Sequence, residues 1–134
     1  MKKKILIVDD EDQNREILAE VFEDNYDIAE ACSGEDGLAK YLEFNPDVIL
    51  LDIMMPGMDG RKVLETIRKM ELEKGIFQGS GVPIVMLTAH SGPWFESFEL
   101  GCTEYIMKPF EAAKLVAQVE SVLENSKYKA GEGS

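Results

Sequence analysis

Five polar residues stand where short apolar segments of the sequence end. They are three carboxylates, one hydroxyl and one amine: Asp9, Asp10, Asp52, Thr88 and Lys108. Three neighbouring carboxylates would repel one another, and a hard divalent cation would neutralise them. Mg²⁺ fits this set better than zinc, because none of the five is a histidine or cysteine. A cation, an ammonium and a hydroxyl around one carboxylate suit phosphoryl transfer onto Asp52.

The apolar segments before these residues are predicted to be β-strands. The run from Val48 to Leu51 is apolar throughout, which is typical of a strand buried on both faces. A loop rich in proline and glycine follows Asp52, so this carboxylate should lie at the carboxyl end of the strand. The predicted strands are Ile5 to Val8, Tyr26 to Ala31, Val48 to Leu51, Ile84 to Leu87 and Tyr105 to Met107.

Helical periodicity separates the first three strands. Asp12 is predicted to cap a first helix that ends near Asn25. A capping box that begins at Ser33 opens a second helix, and Pro46 stops it. The residues predicted to face the core on these two helices are Ile17, Leu18, Val21, Phe22, Leu38, Tyr41 and Leu42.

Three further helices are predicted in the second half of the chain. The third ends near Lys74, within a long connection that spans residues 69–82. A short helix is predicted to begin at Pro93 and end at Gly101, and a last helix begins near Glu111. The predicted core-facing residues are Val63, Ile67 and Met70 on the third helix, and Leu115, Val119, Val122 and Leu123 on the last.

Alternating strands and helices favour an α/β fold with a five-stranded parallel sheet and helices on both faces. In such a sheet the carboxyl ends of the strands share one edge, which would gather the five polar residues. We expect one domain over residues 1–125. Residues 126–134 are small and polar, and are interpreted as a linker, a frayed end or an artificial extension.

Composition restricts the partners and the compartment. The 134 residues carry a net charge of −12, which opposes binding to nucleic acid or to an anionic membrane. The sequence has neither a secretory signal nor a long apolar span, so we expect a cytoplasmic protein. Cys32 and Cys102 lack CxxC spacing and are predicted to be reduced, packed residues.

Four motifs occur on the predicted strand ends in an order that resembles the receiver domains of two-component response regulators. They are Asp9-Asp10, the loop from Leu51 to Gly60, Thr88-Ala89 and Lys108-Pro109-Phe110. The resemblance covers nearly the whole chain. It implies a flavodoxin-like receiver fold with strand order 2-1-3-4-5.

The resemblance also implies a signalling switch rather than an enzyme with an external substrate. Asp52 would accept a phosphoryl group from the phosphohistidine of a sensor histidine kinase or phosphotransfer protein, and would catalyse only its own phosphorylation and dephosphorylation. Asp10, Asp52 and the backbone carbonyl of Met54 would bind Mg²⁺, while Asp9 would act mostly through water.

The remaining roles concern the response to phosphorylation. The resemblance implies that Lys108 and Thr88 contact the phosphoryl oxygens, that Tyr105 turns inward as Thr88 moves, and that the Lys108-Pro109 bond is cis. The implied partner is a downstream protein effector, with no direct contact to nucleic acid or membrane. The protein would be a monomer or a weak, phosphorylation-dependent dimer.

The sequence departs from the family pattern at three places. The connection over residues 69–82 is longer than usual. The segment between Thr88 and Gly101 is shorter, with Gly92-Pro93 where a helix normally begins, so family habits of dimerisation transfer poorly. Met54 and His90 flank the site, and we hypothesise that bulky Met54 hinders the water that would remove the phosphoryl group. His90 is interpreted as an exposed loop residue.

Three other functions remain as alternatives. A phosphatase of the haloacid dehalogenase class would carry a second aspartate two residues after the nucleophile, where this sequence has Met54. A flavin carrier would need a phosphate loop after the first strand, and the acids from Asp9 to Asp12 would repel that phosphate. A degenerate receiver that acts only as an interaction module would not need Asp52, Thr88 and Lys108.

Overall fold

The computed structural model describes residues 2–77, 79–88 and 101–128. Within these ranges the elements are β1 Lys3–Val8, α1 Asp12–Phe22, β2 Tyr26–Ala31, α2 Gly34–Phe44, β3 Val48–Asp52, α3 Gly60–Glu73, β4 Ile84–Thr88, β5 Glu104–Met107 and α4 Ala112–Asn125. All five predicted strands are therefore confirmed. The predicted short helix from Pro93, together with His90, lies outside the described residues.

The sheet is parallel throughout, and its strand order is β2-β1-β3-β4-β5. This confirms the predicted fold class and order. Strand β1 lies between β2 and β3. The chain therefore adds β2 on one side of β1 and the later strands on the other side, so the strand order reverses beside β1. In open α/β sheets, the crevice at such a reversal, outside the carboxyl ends of the strands, is where ligands bind.

Alternation along the strands divides the core into two layers. On β1, Leu6 and Val8 face a cluster shared with α2 and α3, whereas Ile5 and Ile7 face a cluster shared with α1 and α4. Successive side chains of a strand point to opposite faces, so strands that are apolar throughout can pack against helices on both sides. The two layers hold the sheet rigidly and leave its edges for function.

Two residues predicted to face the core are instead exposed. Ile17 is 47 % exposed and Leu42 is 53 % exposed. On α1 the buried positions are Leu18 and Phe22, and Ile17 lies about 100° around the helix from Leu18. On α2 the buried face is built from small residues and a tyrosine: Gly34, Gly37 and Tyr41. The predicted stripes were therefore wrong at Ile17 and Leu42 and right at the other predicted positions: Leu18, Phe22 and Tyr41 are buried, and Val21 and Leu38 pack partly buried against the core.

The start of α1 differs from prediction, whereas Ser33 caps α2 as predicted. The residue that precedes α1 is Glu11, without a side-chain capping bond, so the prediction that Asp12 caps this helix was wrong. Asp12 instead lies in the first turn and pairs with Arg15. At α2, Ser33 Oγ accepts from Asp36 N at 3.1 Å, as predicted, but the Asp36 carboxylate accepts from the backbone N–H of Cys32 at 3.2 Å.

The two cysteines differ in burial. Both cysteines are free thiols; Cys102 is buried, but Cys32 is exposed, so the prediction of a packed residue was wrong for Cys32. After α4, Tyr128 is partly buried against the α2/α3 layer. No helix among the described residues is long and apolar enough to cross a membrane.

Candidate functional site

The β1–α1 turn and the end of β3 bring the acidic residues together. Asp9 directly follows β1, and its backbone N–H donates to Ala31 O at 3.1 Å, which extends the β1–β2 pairing by one residue. Asp52 is the last residue of β3, and Ile53 N–H donates to Leu87 O at 3.1 Å. Both acids are therefore held by neighbouring strands, at the crevice beside β1.

A tight loop returns from Asp52 to α3. A Cβ atom on Gly60 would lie only 2.2 Å from the carbonyl oxygen of Asp52, so only glycine allows α3 to begin here. Asp59 precedes this glycine, and its side chain caps the helix by accepting from Lys62 N at 3.0 Å. The loop is thus packed closely around the backbone of the acidic residue.

The three predicted carboxylates converge. One oxygen from each of Asp9, Asp10 and Asp52 lies within 4.8 Å of the others. Asp9 is 1 % and Asp52 5 % exposed, whereas Asp10 is more exposed. Three oxygen donors at this spacing, without nitrogen or sulfur donors among them, match the ligand chemistry of Mg²⁺. The donor set therefore fits the cation predicted from the sequence.

Lys108 brings a positive charge to the same point. Its Nζ atom lies 3.4 Å from Asp9 Oδ2 and 3.8 Å from Asp52 Oδ2. The Lys108 side chain is 19 % exposed, and its backbone N–H donates to Thr88 O at 2.7 Å. The Lys108-Pro109 peptide bond is cis, as predicted. The amine thus lies between two carboxylates and remains open to solvent.

The pKa of Asp52 is raised to about 6. Burial is the main cause, since it disfavours the charged carboxylate, and the charges of Asp9 and Asp10 act in the same direction. Lys108 and the backbone N–H of Met54, which donates to Asp52 Oδ1 at 3.3 Å, oppose the shift. Burial therefore destabilises the charged form of Asp52, and a bound cation would stabilise that form.

The two predicted switch residues occupy neighbouring strands. Thr88 is 1 % exposed and ends β4, beside Met107 of β5. Tyr105 pairs with Met86 in register and is partly buried against the α2/α3 layer. Leu87, which precedes Thr88, pairs with Asp52. A path of adjacent backbone therefore runs from Asp52 through β4 to Tyr105.

Met54 lies two residues beyond Asp52 in the loop. Its side chain is 55 % exposed, and only its backbone N–H has a described contact with the acidic residue. An exposed, bulky apolar side chain beside a buried carboxylate is compatible with the hypothesis that Met54 shields the site from water.

Sequence reasoning missed Arg15 of α1. One guanidinium nitrogen, Nη1, donates to the backbone carbonyl of Asp9 at 2.6 Å. A signal was present, because Arg15 is the one basic residue between Lys4 and Lys40 in an otherwise acidic stretch. Arginine suits partly buried ion pairs, because its planar guanidinium donates in several directions and is more weakly hydrated than an ammonium.

A second polar cluster, at the opposite edge of the sheet, was also missed. Glu71 is 2 % exposed and accepts from Arg68 and from Val82 N, each at 2.7 Å. Its signal was an acid at four-residue spacing from the buried Val63 and Ile67 on α3. A cavity of about 580 Å³ opens beside this pair, between α3, β5 and α4.

Comparison with known proteins agrees with this geometry. The family model of the response regulator receiver domain matches residues 5–120. The transcriptional regulatory protein ResD of Bacillus subtilis is 42 % identical over 123 residues, which cover 90 % of this chain and 48 % of ResD. The DNA-binding response regulator MtrA of Mycolicibacterium smegmatis is 36 % identical over 98 % of this chain and 55 % of MtrA. The chain thus spans about half the length of these relatives.

Solved structures show the same similarity over whole domains. The chemotaxis protein CheY4 of Vibrio cholerae superimposes with a TM-score of 0.79 at 29 % identity, covering 91 % of this chain and 99 % of CheY4. The receiver domain of Francisella response regulator 1452 gives a TM-score of 0.79 at 28 % identity, covering 92 % and 98 %. With the matching fold and the family match over most of its length, the chain belongs to the response regulator receiver domains.

Proposed function

We propose that this domain is a phosphorylation-activated switch in which Asp52 is the phosphoacceptor. The observation that carries the proposal is the convergence of Asp9, Asp10, Asp52 and Lys108 at the crevice beside β1. Among these residues Asp52 is central, since it lies at the end of a fully buried strand and contacts both the acidic pair and the amine.

The chemistry is a transfer from nitrogen to oxygen. A carboxylate oxygen of Asp52 attacks the phosphorus of a phosphohistidine, the P–N bond breaks, and its electron pair returns to the imidazole nitrogen, which takes a proton from solvent. Because the pKa of Asp52 is about 6, the attacking carboxylate is mostly ionised at pH 7. Burial leaves it weakly solvated, which favours nucleophilic attack.

Three side chains and one backbone group would hold Mg²⁺ here: Asp9, Asp10, Asp52 and the carbonyl of Met54, with Asp9 acting mostly through water. When bound, the cation would supply positive charge to the phosphoryl oxygens. Lys108 would pair with another phosphoryl oxygen by exchanging its present contact with Asp52, 3.8 Å away.

The output of the switch is a change of protein contacts. Thr88 would bond the phosphoryl group, and Tyr105 would follow by turning further into the α2/α3 layer, since the two residues lie on adjacent strands. Such a change shifts the population of two surface states rather than creating a new fold. Nothing in this step requires catalysis on an external substrate.

The partners follow from charge and from the relatives. We propose that the protein is cytoplasmic and that a sensor histidine kinase or phosphotransfer protein is its phosphoryl donor. The target would be a protein effector, contacted by a monomer or by a weak, phosphorylation-dependent dimer. A net charge of −12 opposes direct DNA contact by this domain. Any DNA binding like that of the relatives would therefore fall to segments that this chain does not cover.

The test uses acetyl phosphate as donor and intact-mass spectrometry as readout. We expect one phosphoryl group per chain with Mg²⁺ and none with EDTA. Asp52→Asn should abolish labelling. Asp59→Asn, which removes a carboxylate from the same loop and keeps a good helix cap, should label like the wild type. Labelling of Asp52→Asn to the wild-type level would contradict the proposal.

A phosphatase would behave differently in the same assay. It would hydrolyse p-nitrophenyl phosphate over many turnovers with Mg²⁺, whereas a switch should show no turnover of this unrelated ester. Sustained turnover that Asp52→Asn abolishes would favour the enzyme. Wild-type signalling by Asp52→Asn in cells would instead favour an interaction module that does not need phosphorylation.

A further inference from the structure

Arg15 contacts three segments around the acidic site. Nη1 donates to the carbonyl oxygen of Asp9 at 2.6 Å, Nη2 pairs with the Asp12 carboxylate, and Nε lies 3.5 Å from Glu30 Oε1 on β2. The Arg15 side chain is only 12 % exposed. A partly buried guanidinium thus joins the β1–α1 turn, the first turn of α1 and the neighbouring strand.

The contact with the Asp9 carbonyl matters for the acidic pair. This oxygen belongs to the planar peptide group that joins Asp9 to Asp10, so fixing it also sets the direction in which Asp10 leaves the strand. The other polar groups of Asp9 are held as well: its N–H donates to Ala31 O at 3.1 Å, and its Oδ1 accepts from Glu11 N at 2.9 Å.

We infer that Arg15 is a positioning residue for the metal site, holding the Asp9–Asp10 peptide so that both carboxylates face Asp52. It does not touch the reacting atoms and acts through the backbone of Asp9. This inference rests on the proposed function, because it presumes that the three carboxylates bind a divalent cation.

Arginine is needed for its shape. Three acceptors in different segments are reached by three different nitrogens of one planar group. Lysine carries its three N–H donors on one nitrogen, so it cannot span acceptors that contact three different nitrogens of the guanidinium. The inference therefore predicts that Arg15→Lys fails to preserve the site, although it preserves the charge.

The sign of the effect separates positioning from simple electrostatics. Arg15 is positive, and a positive charge near a cation site repels the cation, so removing it should tighten metal binding if charge were its only influence. Loss of positioning should weaken binding instead. Residues that orient metal ligands typically contribute ~10–100-fold in affinity.

The experiment measures the affinity for Mn²⁺, a paramagnetic probe for the Mg²⁺ site, by electron paramagnetic resonance of the free ion. The variants are Arg15→Lys and Arg15→Met in the full chain. The matched control is Lys40→Met, since Lys40 donates to the backbone oxygen of the same Glu30 at 3.0 Å and pairs with Asp36, but has no described contact with Asp9, Asp10 or Asp52. Thermal unfolding in EDTA measures stability separately.

We expect both Arg15 variants to bind Mn²⁺ about 10–100-fold more weakly than the wild type, and Lys40→Met to bind equally well or slightly better. Wild-type or tighter binding by Arg15→Lys overturns the inference, including the case in which only its melting temperature falls, because Arg15 would then be merely structural. If Arg15→Met does not fold, Arg15→Lys still decides. Failure of the wild type to bind Mn²⁺ overturns the proposed metal site itself.

Discussion

Two buried carboxylates, Glu71 and Asp52, lie at opposite ends of the parallel strands. Their hydrogen-bond partners and neighbouring charges differ. Glu71, at the amino end of β4, accepts from Arg68 and from Val82 N at 2.7 Å each, and Arg68 is itself anchored by donating to Gly101 O at 2.9 Å. Asp52, at the carboxyl end of β3, has a longer contact of 3.3 Å with Met54 N, and Lys108 lies 3.8 Å away.

The difference separates a structural carboxylate from the one that we propose to be the phosphoacceptor. Glu71 has a donor for each oxygen, whereas Asp52 has weak partners and two other carboxylates nearby. A buried charge is tolerated when its hydrogen bonds are made, and it is costly when they are not. We therefore expect Glu71 to stabilise the native state and Asp52 to destabilise it until a cation or phosphoryl group arrives.

The largest effect is expected for Glu71→Ala. Truncation leaves the Val82 N–H and the Arg68 guanidinium without their shared acceptor, and should lower the free energy of unfolding by about 3 kcal/mol. Urea denaturation followed by circular dichroism measures it. Glu73→Ala, on the exposed side of the same helix, should change stability by less than about 0.5 kcal/mol. A loss below about 1 kcal/mol for Glu71→Ala would contradict the claim that Glu71 stabilises the native state.

The next effect has the opposite sign. Asp52→Asn should raise the free energy of unfolding by about 2–3 kcal/mol at pH 7 in EDTA, because the pKa is about 6 in the folded protein and near its ordinary value of 3.8 when unfolded. Between these values Asp52 binds its proton more tightly in the folded state than in the unfolded state, so its contribution to stability falls as the pH rises through this range and is constant above it.

The pH profile provides the control for this prediction. Below pH ~4 the carboxyl group is protonated in both states, and the advantage of Asp52→Asn should disappear. Glu65→Gln removes one charge from an exposed position of α3 and should leave the profile unchanged. If Asp52→Asn were less stable than the wild type at pH 7, the carboxylate would be structural like Glu71.

The same contrast explains what could be predicted from sequence. Asp52 and its neighbours could be predicted because the end of an apolar strand and a loop rich in proline and glycine are local sequence patterns. A parallel sheet then brings the carboxyl ends of its strands together. Glu71 and Arg15 were missed because their partners, Val82 and the Asp9 carbonyl, are defined only by tertiary packing. Pattern reasoning identifies residues that differ from their local context, and it does not identify their partners.

The sequence also failed to predict that Leu42 of α2 is exposed. Leu42 was predicted inward by spacing alone, but Gly37 lets α2 approach β1 so closely that a Cβ atom there would lie 3.0 Å from Val8. Close packing at the glycine face turns Leu42 toward solvent, where it is 53 % exposed. Helical periodicity is read from large apolar residues alone, whereas close packing also favours small residues on the buried face of a helix.

A smaller effect tests whether location or partners decide the role of a carboxylate. Asp59 lies in the same loop as Asp52 but has a satisfied structural bond, since it accepts from Lys62 N at 3.0 Å. Asp59→Ala should cost about 1 kcal/mol of unfolding free energy, and Asp59→Asn should cost little, because asparagine also caps helices. Both should bind Mn²⁺ like the wild type. Weakened binding by Asp59→Asn would mean that location alone makes this edge functional.

The smallest effect concerns water access to Asp52. If Met54 shields the phosphoryl group, Met54→Asn should lose it severalfold faster, which corresponds to about 1 kcal/mol or less in barrier height. Chains labelled with acetyl phosphate are freed of donor, and the labelled fraction is followed by intact mass. Leu72→Asn is the matched control, because Leu72 is 57 % exposed against 55 % for Met54 but lies near Glu71 at the opposite edge. An unchanged lifetime in Met54→Asn would mean that the buried backbone around Asp52, rather than the exposed side chain beside it, sets how long the signal lasts.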